Sequence, residues 1–119
     1  EEVTEGFIRY ADLTMPLAEP RADWVLSLEV GEHIPSKLEH AFVRNLHAHA
    51  CRGIILSWAY PGKWGIGHVN THSRAYLVGL FEQLGYQHET NATDWLRKGH
   101  GSAERSRLDR RNESQPWHW

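Results

Sequence analysis

Three stretches decide the fold: Asp23 to Val30 reads DWVLSLEV, Ser36 to Cys51 reads SKLEHAFVRNLHAHAC, and Ile54 to Ala59 reads IILSWA. Trp24 to Val30 is a nearly unbroken apolar run, too short for an independent helix, and is expected as a strand buried on both faces. In the middle stretch Leu38, Phe42, Leu46 and Ala50 recur every four residues and lay one apolar stripe along a helix. Ser36 is placed to cap that helix, with Glu39 at the capping-box position three residues later. After Gly53 the buried-strand pattern returns in Ile54 to Ala59. Strand, helix of about four turns, strand is the order of a right-handed βαβ crossover, so a mainly parallel sheet is expected.

Outward from this unit the signals are more local. Gly6 to Ala11 (GFIRYA) is rich in β-forming residues and is expected as a strand, stopped by Asp12, Leu13 and Thr14. Pro16 to Ala22 holds two prolines and reads as a loop. Tyr60 to Asn70 (YPGKWGIGHVN) carries three glycines and a proline and reads as an irregular loop at the carboxyl end of the second strand. Asn70 or Thr71 can cap a helix whose face is Tyr76, Leu77, Leu80, Phe81 and Leu84, and Gly85 sits where a left-handed C-terminal residue is expected. Tyr86 to Thr90 reads as a short strand, followed by a helix opening at Asn91 or Thr93 and ending near Lys98. From Gly99 the chain is charged and nearly free of apolar residues until Trp117 and Trp119, the composition of a disordered tail.

A chain of 119 residues suits one core, and 40% hydrophobic residues suit a globular one. Up to Leu96 there are 7 Lys or Arg against 12 Asp or Glu, and beyond it 6 against 3. The body is therefore acidic and gives no argument for nucleic acid; the basic run from Arg105 to Arg111 reads as solvated linker. Cys51 is the only cysteine, which excludes an internal disulfide and points to a reducing compartment, the cytoplasm. There is no apolar run of membrane-spanning length and no signal peptide, and a chain opening on Glu1 without an initiator Met is expected to be a piece of a longer protein.

In parallel α/β sheets ligands bind beyond the carboxyl ends of the strands, which selects Asp12 to Thr14, Glu29 to His33 and Ala59 to Val69. Within them His33 suits a base, since imidazole is the side-chain type that exchanges a proton near neutral pH. The nine histidines suggest no metal centre by spacing. His40 and His47 share one side of the helix, His47 and His49 point apart, and no Cys-x-x-Cys or His-Glu-x-x-His pattern is present. His68 and His72 read as loop polar groups, and Cys51 as a small buried hydrophobe closing the helix.

Three segments together carry a family resemblance: YADLT at Tyr10 to Thr14, DWVLSLEVGEHIP at Asp23 to Pro35, and GHVNTHSRAYLVGLFEQLGY at Gly67 to Tyr86. In order and spacing, over roughly Thr4 to Lys98, they resemble the third-strand, fourth-strand and post-fifth-strand regions of class I S-adenosylmethionine (SAM)-dependent methyltransferases. The strand running into Glu29-x-x-Glu32-His33-Ile34 is similar to the small-molecule branch of that superfamily, and SLEVGEHIP to a group of uncharacterised methyltransferase-like proteins. The resemblance implies a Rossmann-like α/β fold, incomplete because the first strands and the last strand have no counterpart here. The glycine-rich loop and the ribose-binding acid belong to the absent half, so weak or no SAM binding by this chain alone, and self-association through the incomplete sheet, are expected. It implies cofactor contacts at Asp12 and Leu13, beside the adenine, and at Leu28, Glu29 and Val30. It implies acceptor contacts at Glu32, Trp58, Tyr60, Trp64 and His68, with His33 as the catalytic base. The activity implied is methyl transfer to a small-molecule acceptor; the alternative is a non-catalytic binding or regulatory domain on the same scaffold.

Overall fold

The computed structural model describes residue 4 and residues 6–98; the tail from Gly99 lies outside the described residues. These form a mixed α/β structure with one two-stranded parallel sheet and three helices, in two compact units divided between Ser73 and Arg74.

The first unit is built on β1 (Ala22–Ser27), α1 (Glu39–His49) and β2 (Ala50–Leu56), with single 3-10 turns at Gly31–His33 and Ser36–Leu38. β1 and β2 pair in parallel, Val25 opposite Ile54 and Ser27 opposite Leu56, with a register shift between Ala22 and Trp24. Trp24 lies across its partner Gly53, where a Cβ would sit 2.3 Å from the indole. The apolar stripe of α1 supplies the core: Phe42, Val43 and Leu46 are buried with Ala50, Ile54, Trp58 and Ala59. Asn45 on the same helix is buried and donates from Nδ2 to the carbonyls of Leu13 and Met15, both at 2.7 Å, which fastens the N-terminal loop to α1.

Several expectations are corrected here. Gly6 to Ala11 is not a strand; its side chains are exposed and its backbone turns, with Thr4 accepting from Phe7 and Ile8. β propensity does not make a strand unless a neighbour takes up the backbone hydrogen bonds. β1 is not buried on both faces, since Leu26 is 64% exposed; among the described residues it has one strand neighbour. Ser36 does not cap α1, because Leu38 holds that helix's cap position and Ser36 lies in the 3-10 turn before it. Glu39 is instead drawn inward to Asn70 and His72. Cys51 falls in β2, not at a helix end, and is exposed.

The second unit holds α2 (Arg74–Gln83) and α3 (Thr90–Lys98). Gly85 takes φ +92°, its N–H bonds to the Glu82 carbonyl and that of Tyr86 to the Phe81 carbonyl, and the Tyr86 and Phe81 rings meet edge to face at 5.8 Å. This is a Schellman ending with its hydrophobic contact, as the glycine's position implied. Tyr86 to Glu89 is a connection and not a strand; Thr90 is helical, and the Glu89 carboxylate accepts from the Asn91 N–H. Among the described residues no helix is long and apolar enough to cross a membrane.

Candidate functional site

The two parallel strands end side by side, and the segments that follow them are tied together by main chain. Ser57 N–H continues the ladder by donating to the Ser27 carbonyl at 2.9 Å. Beyond it, the Glu32 carbonyl accepts from both Val69 N–H (2.9 Å) and Asn70 N–H (3.1 Å), which brings the loop after β2 onto the turn after β1. Trp58 anchors the same loop from below. It is 8% exposed, donates from Nε1 to the Asn70 carbonyl at 2.5 Å, and packs against Phe42 and His72. Gly31 passes so close to the indole that a Cβ would lie 2.3 Å from it, and no larger residue fits that turn undisturbed.

Glu29 sits at the hinge of this arrangement with φ +54°, a left-handed conformation uncommon outside glycine. Its N–H donates to Ser57 Oγ and Ser57 Oγ donates to its Oε1, both at 2.8 Å, while Lys63 Nζ donates to its Oε2 at 3.0 Å. These bonds, Lys63 first and Ser57 next, with a smaller share from Glu32, hold the Glu29 carboxyl below the usual glutamate range. The same pairing raises the Lys63 ammonium above its ordinary value. Backbone outliers of this kind cluster where a structure over-determines a site.

Deeper in, Glu32, His33 and His68 bring one ligating atom each within 4.8 Å of one another. Glu32 is 0% exposed; among the described residues no donor lies in bonding geometry of its carboxyl oxygens, and the neighbouring side chain that interacts with it is the Glu29 carboxyl. His33 Nδ1 lies 3.0 Å from the Gly67 carbonyl and His68 Nδ1 lies 3.1 Å from the Lys63 carbonyl. A carbonyl only accepts, so each Nδ1 carries the hydrogen and each Nε2 keeps its lone pair. The two rings meet edge to face at 5.1 Å, and a Cβ on Gly65 would overlap the His68 ring at 2.3 Å.

An open cavity of about 420 Å³ is lined by Leu13, Leu17, Val25, Leu28, Val30 and Phe42 among others. The structure thus groups the residues singled out in the sequence into two sets: Leu13, Leu28 and Val30 on the cavity, and Glu32, His33 and His68 in the polar cluster; Glu29 belongs to neither set. The rest lie apart. Trp58 is core, Tyr60 and Trp64 are exposed on the loop, and Asp12 forms a local turn in which its Oδ1 accepts from Thr14 N–H and Oγ1.

No family model, curated protein or solved structure matches this chain.

Sequence reasoning missed Ser57 and Lys63, the partners of Glu29, and the two glycines packed against the histidines. Ser57 was visible as the one polar residue in IILSWA, one position short of the level of Glu29 in the parallel register. Nothing in the sequence set Lys63 apart from any loop lysine.

Proposed function

We propose that this chain forms part of a SAM-dependent methyltransferase of Rossmann-like fold, acting on a small-molecule acceptor. The observation that carries the reading is the common cavity of Leu13, Leu28 and Val30, two separate segments that the resemblance assigns to the cofactor. Its size falls within the range of small-ligand pockets, roughly 300–1,000 Å³, and its apolar lining suits a flat purine ring. SAM would supply a methyl carbon bound to a sulfonium, whose departure as a thioether needs no acid from the protein. The chain's share of the work is then to orient the acceptor and take its proton.

His33 is suited to the second task, because its Nε2 keeps a lone pair while Nδ1 is held by the Gly67 carbonyl at 3.0 Å. Glu29, fixed by Ser57 and Lys63, lies at the strand end that the resemblance assigns to the cofactor. Tyr60 and Trp64, which the resemblance assigns to the acceptor, are exposed on the loop after β2.

Equilibrium dialysis of the 119-residue chain against labelled SAM tests the proposal. Weak, saturable binding is expected, reduced at least tenfold by Leu28→Asp, which puts a charge on the cavity wall at a half-exposed position. Binding that Leu28→Asp leaves unchanged, or no binding at millimolar SAM, would overturn it.

A further inference from the structure

Glu32 poses a problem that the methyl-transfer reading does not address. A carboxylate with no exposed surface and no donor in bonding geometry on either oxygen is unfavourable to keep charged, since burial removes its hydration. Native structures resolve such cases with a donor, a proton or a cation. The groups near Glu32 are the Glu29 carboxyl and, within 4.8 Å, one ring nitrogen each of His33 and His68.

We infer that Glu32, His33 and His68 form a binding site for a divalent transition-metal cation. Two imidazoles and one carboxylate are a common three-ligand set for zinc, with the fourth position left for water or substrate. The secondary contacts fit that role. Each imidazole donates Nδ1–H to a main-chain carbonyl, Gly67 for His33 and Lys63 for His68. That is the usual way a metal-binding histidine is held in the tautomer and orientation that present Nε2. Both carbonyls lie in the glycine-bearing loop, and Gly65 leaves room for the His68 ring against the backbone. Metal–ligand bonds of about 2.0–2.2 Å place ligand atoms roughly 3.3 Å apart. From separations of at most 4.8 Å, small rotations of the exposed His33 and the half-buried His68 close the gap. The Lys63 ammonium is bonded to the Glu29 carboxylate at 3.0 Å and also interacts electrostatically with Glu32.

The site stands on geometry alone and needs neither SAM nor an acceptor. It changes the part His33 plays: a base in the ion-free protein, a ligand in the ion-bound one. The other histidine group, His40, His47 and His49 on α1, offers nothing comparable, and His49 Nδ1 is already bonded to the Asn45 carbonyl on its own helix.

Titration of the untagged 119-residue chain with Co²⁺, followed by its visible absorption and then by displacement with Zn²⁺, tests the inference. One equivalent should bind with the spectrum of nitrogen and oxygen ligation, and Zn²⁺ should abolish it. His68→Ala and His33→Ala should each weaken binding at least tenfold, and His47→Ala should leave it unchanged. Glu32→Gln, at a buried position, is checked for folding by circular dichroism first; if folded, it too should lose at least tenfold. Wild-type affinity in His33→Ala and His68→Ala, or no binding at one equivalent, would overturn the site. Because no SAM is present, either outcome leaves the dialysis result for methyl transfer to be judged separately.

Discussion

Gly31→Ala is the sharpest test of how the site is held. The added Cβ would sit 2.3 to 2.4 Å from three atoms of the Trp58 ring, where ordinary carbon contacts begin near 3.5 Å. Ring or turn must therefore move by more than about 1 Å. The ring cannot move freely, because it is 8% exposed, bonded through Nε1 to the Asn70 carbonyl, and packed against Phe42 at 5.9 Å and His72 at 5.6 Å. Overpacking of this kind costs about 1–3 kcal/mol, and losing the indole hydrogen bond adds about 0.5–1.5 kcal/mol. For a domain of this size each kilocalorie shifts the thermal midpoint by about 4–8 °C, so a loss of about 2 kcal/mol or more lowers it by at least about 8 °C. Thermal unfolding followed by near-ultraviolet circular dichroism reads both the midpoint and the indole environment. A Gly31→Ala protein melting within about 3 °C of the parent, with its aromatic signal unchanged, would refute the claim that Trp58 is clamped between Gly31 and Asn70.

Asn45→Ala removes both bonds that fasten the Leu13 and Met15 carbonyls to α1, and should cost about 1–3 kcal/mol; amide exchange should quicken at residues 13–17 and stay unchanged in β2. The Glu29–Lys63 pair sets a pH window. Glu29 is depressed, so its contribution is present above the usual glutamate range, near 4.3, and is lost as pH falls through the lower folded value. Lys63 is raised, so its contribution is present below the usual lysine value, near 10.4, and is lost as pH rises through the higher folded value. Nuclear magnetic resonance titration should show both displacements, and Glu29→Gln should return Lys63 toward its ordinary value. In a protein turning over an acceptor, His33→Ala should lower the rate far more than SAM affinity; equal losses in both would assign His33 a structural role.

The βαβ unit was legible because its signals are strong and mutually consistent: a four-residue stripe at Phe42, Leu46 and Ala50, and two apolar runs either side. The Schellman ending at Gly85 was legible for the same reason, since only one residue type takes φ +92° without cost. Gly6 to Ala11 misled because strand propensity says nothing about whether a neighbour exists to pair with. Ser36 and Glu39 misled because a capping box and a buried carboxylate call for the same residue, and Asn70 and His72, 31 and 33 positions away, compete for Glu39. The site was half visible. Its position followed from the strand ends, but the meeting of His33 with His68 depends on two N–H groups, of Val69 and Asn70, converging on the Glu32 carbonyl. No residue pattern announces such main-chain bonds, and the histidines that spacing did single out lie on α1.

The central functional claim is that SAM rests on the cavity formed by Leu13, Leu28 and Val30. Isotope-filtered nuclear Overhauser measurements between unlabelled SAM and the ¹³C-labelled methyl groups of the chain test it most directly. The account predicts transfer from the adenine ring protons to the methyls of Leu13 and Leu28. Transfer only to methyls of α2, such as Leu77 and Leu80, or none at millimolar SAM, would contradict it.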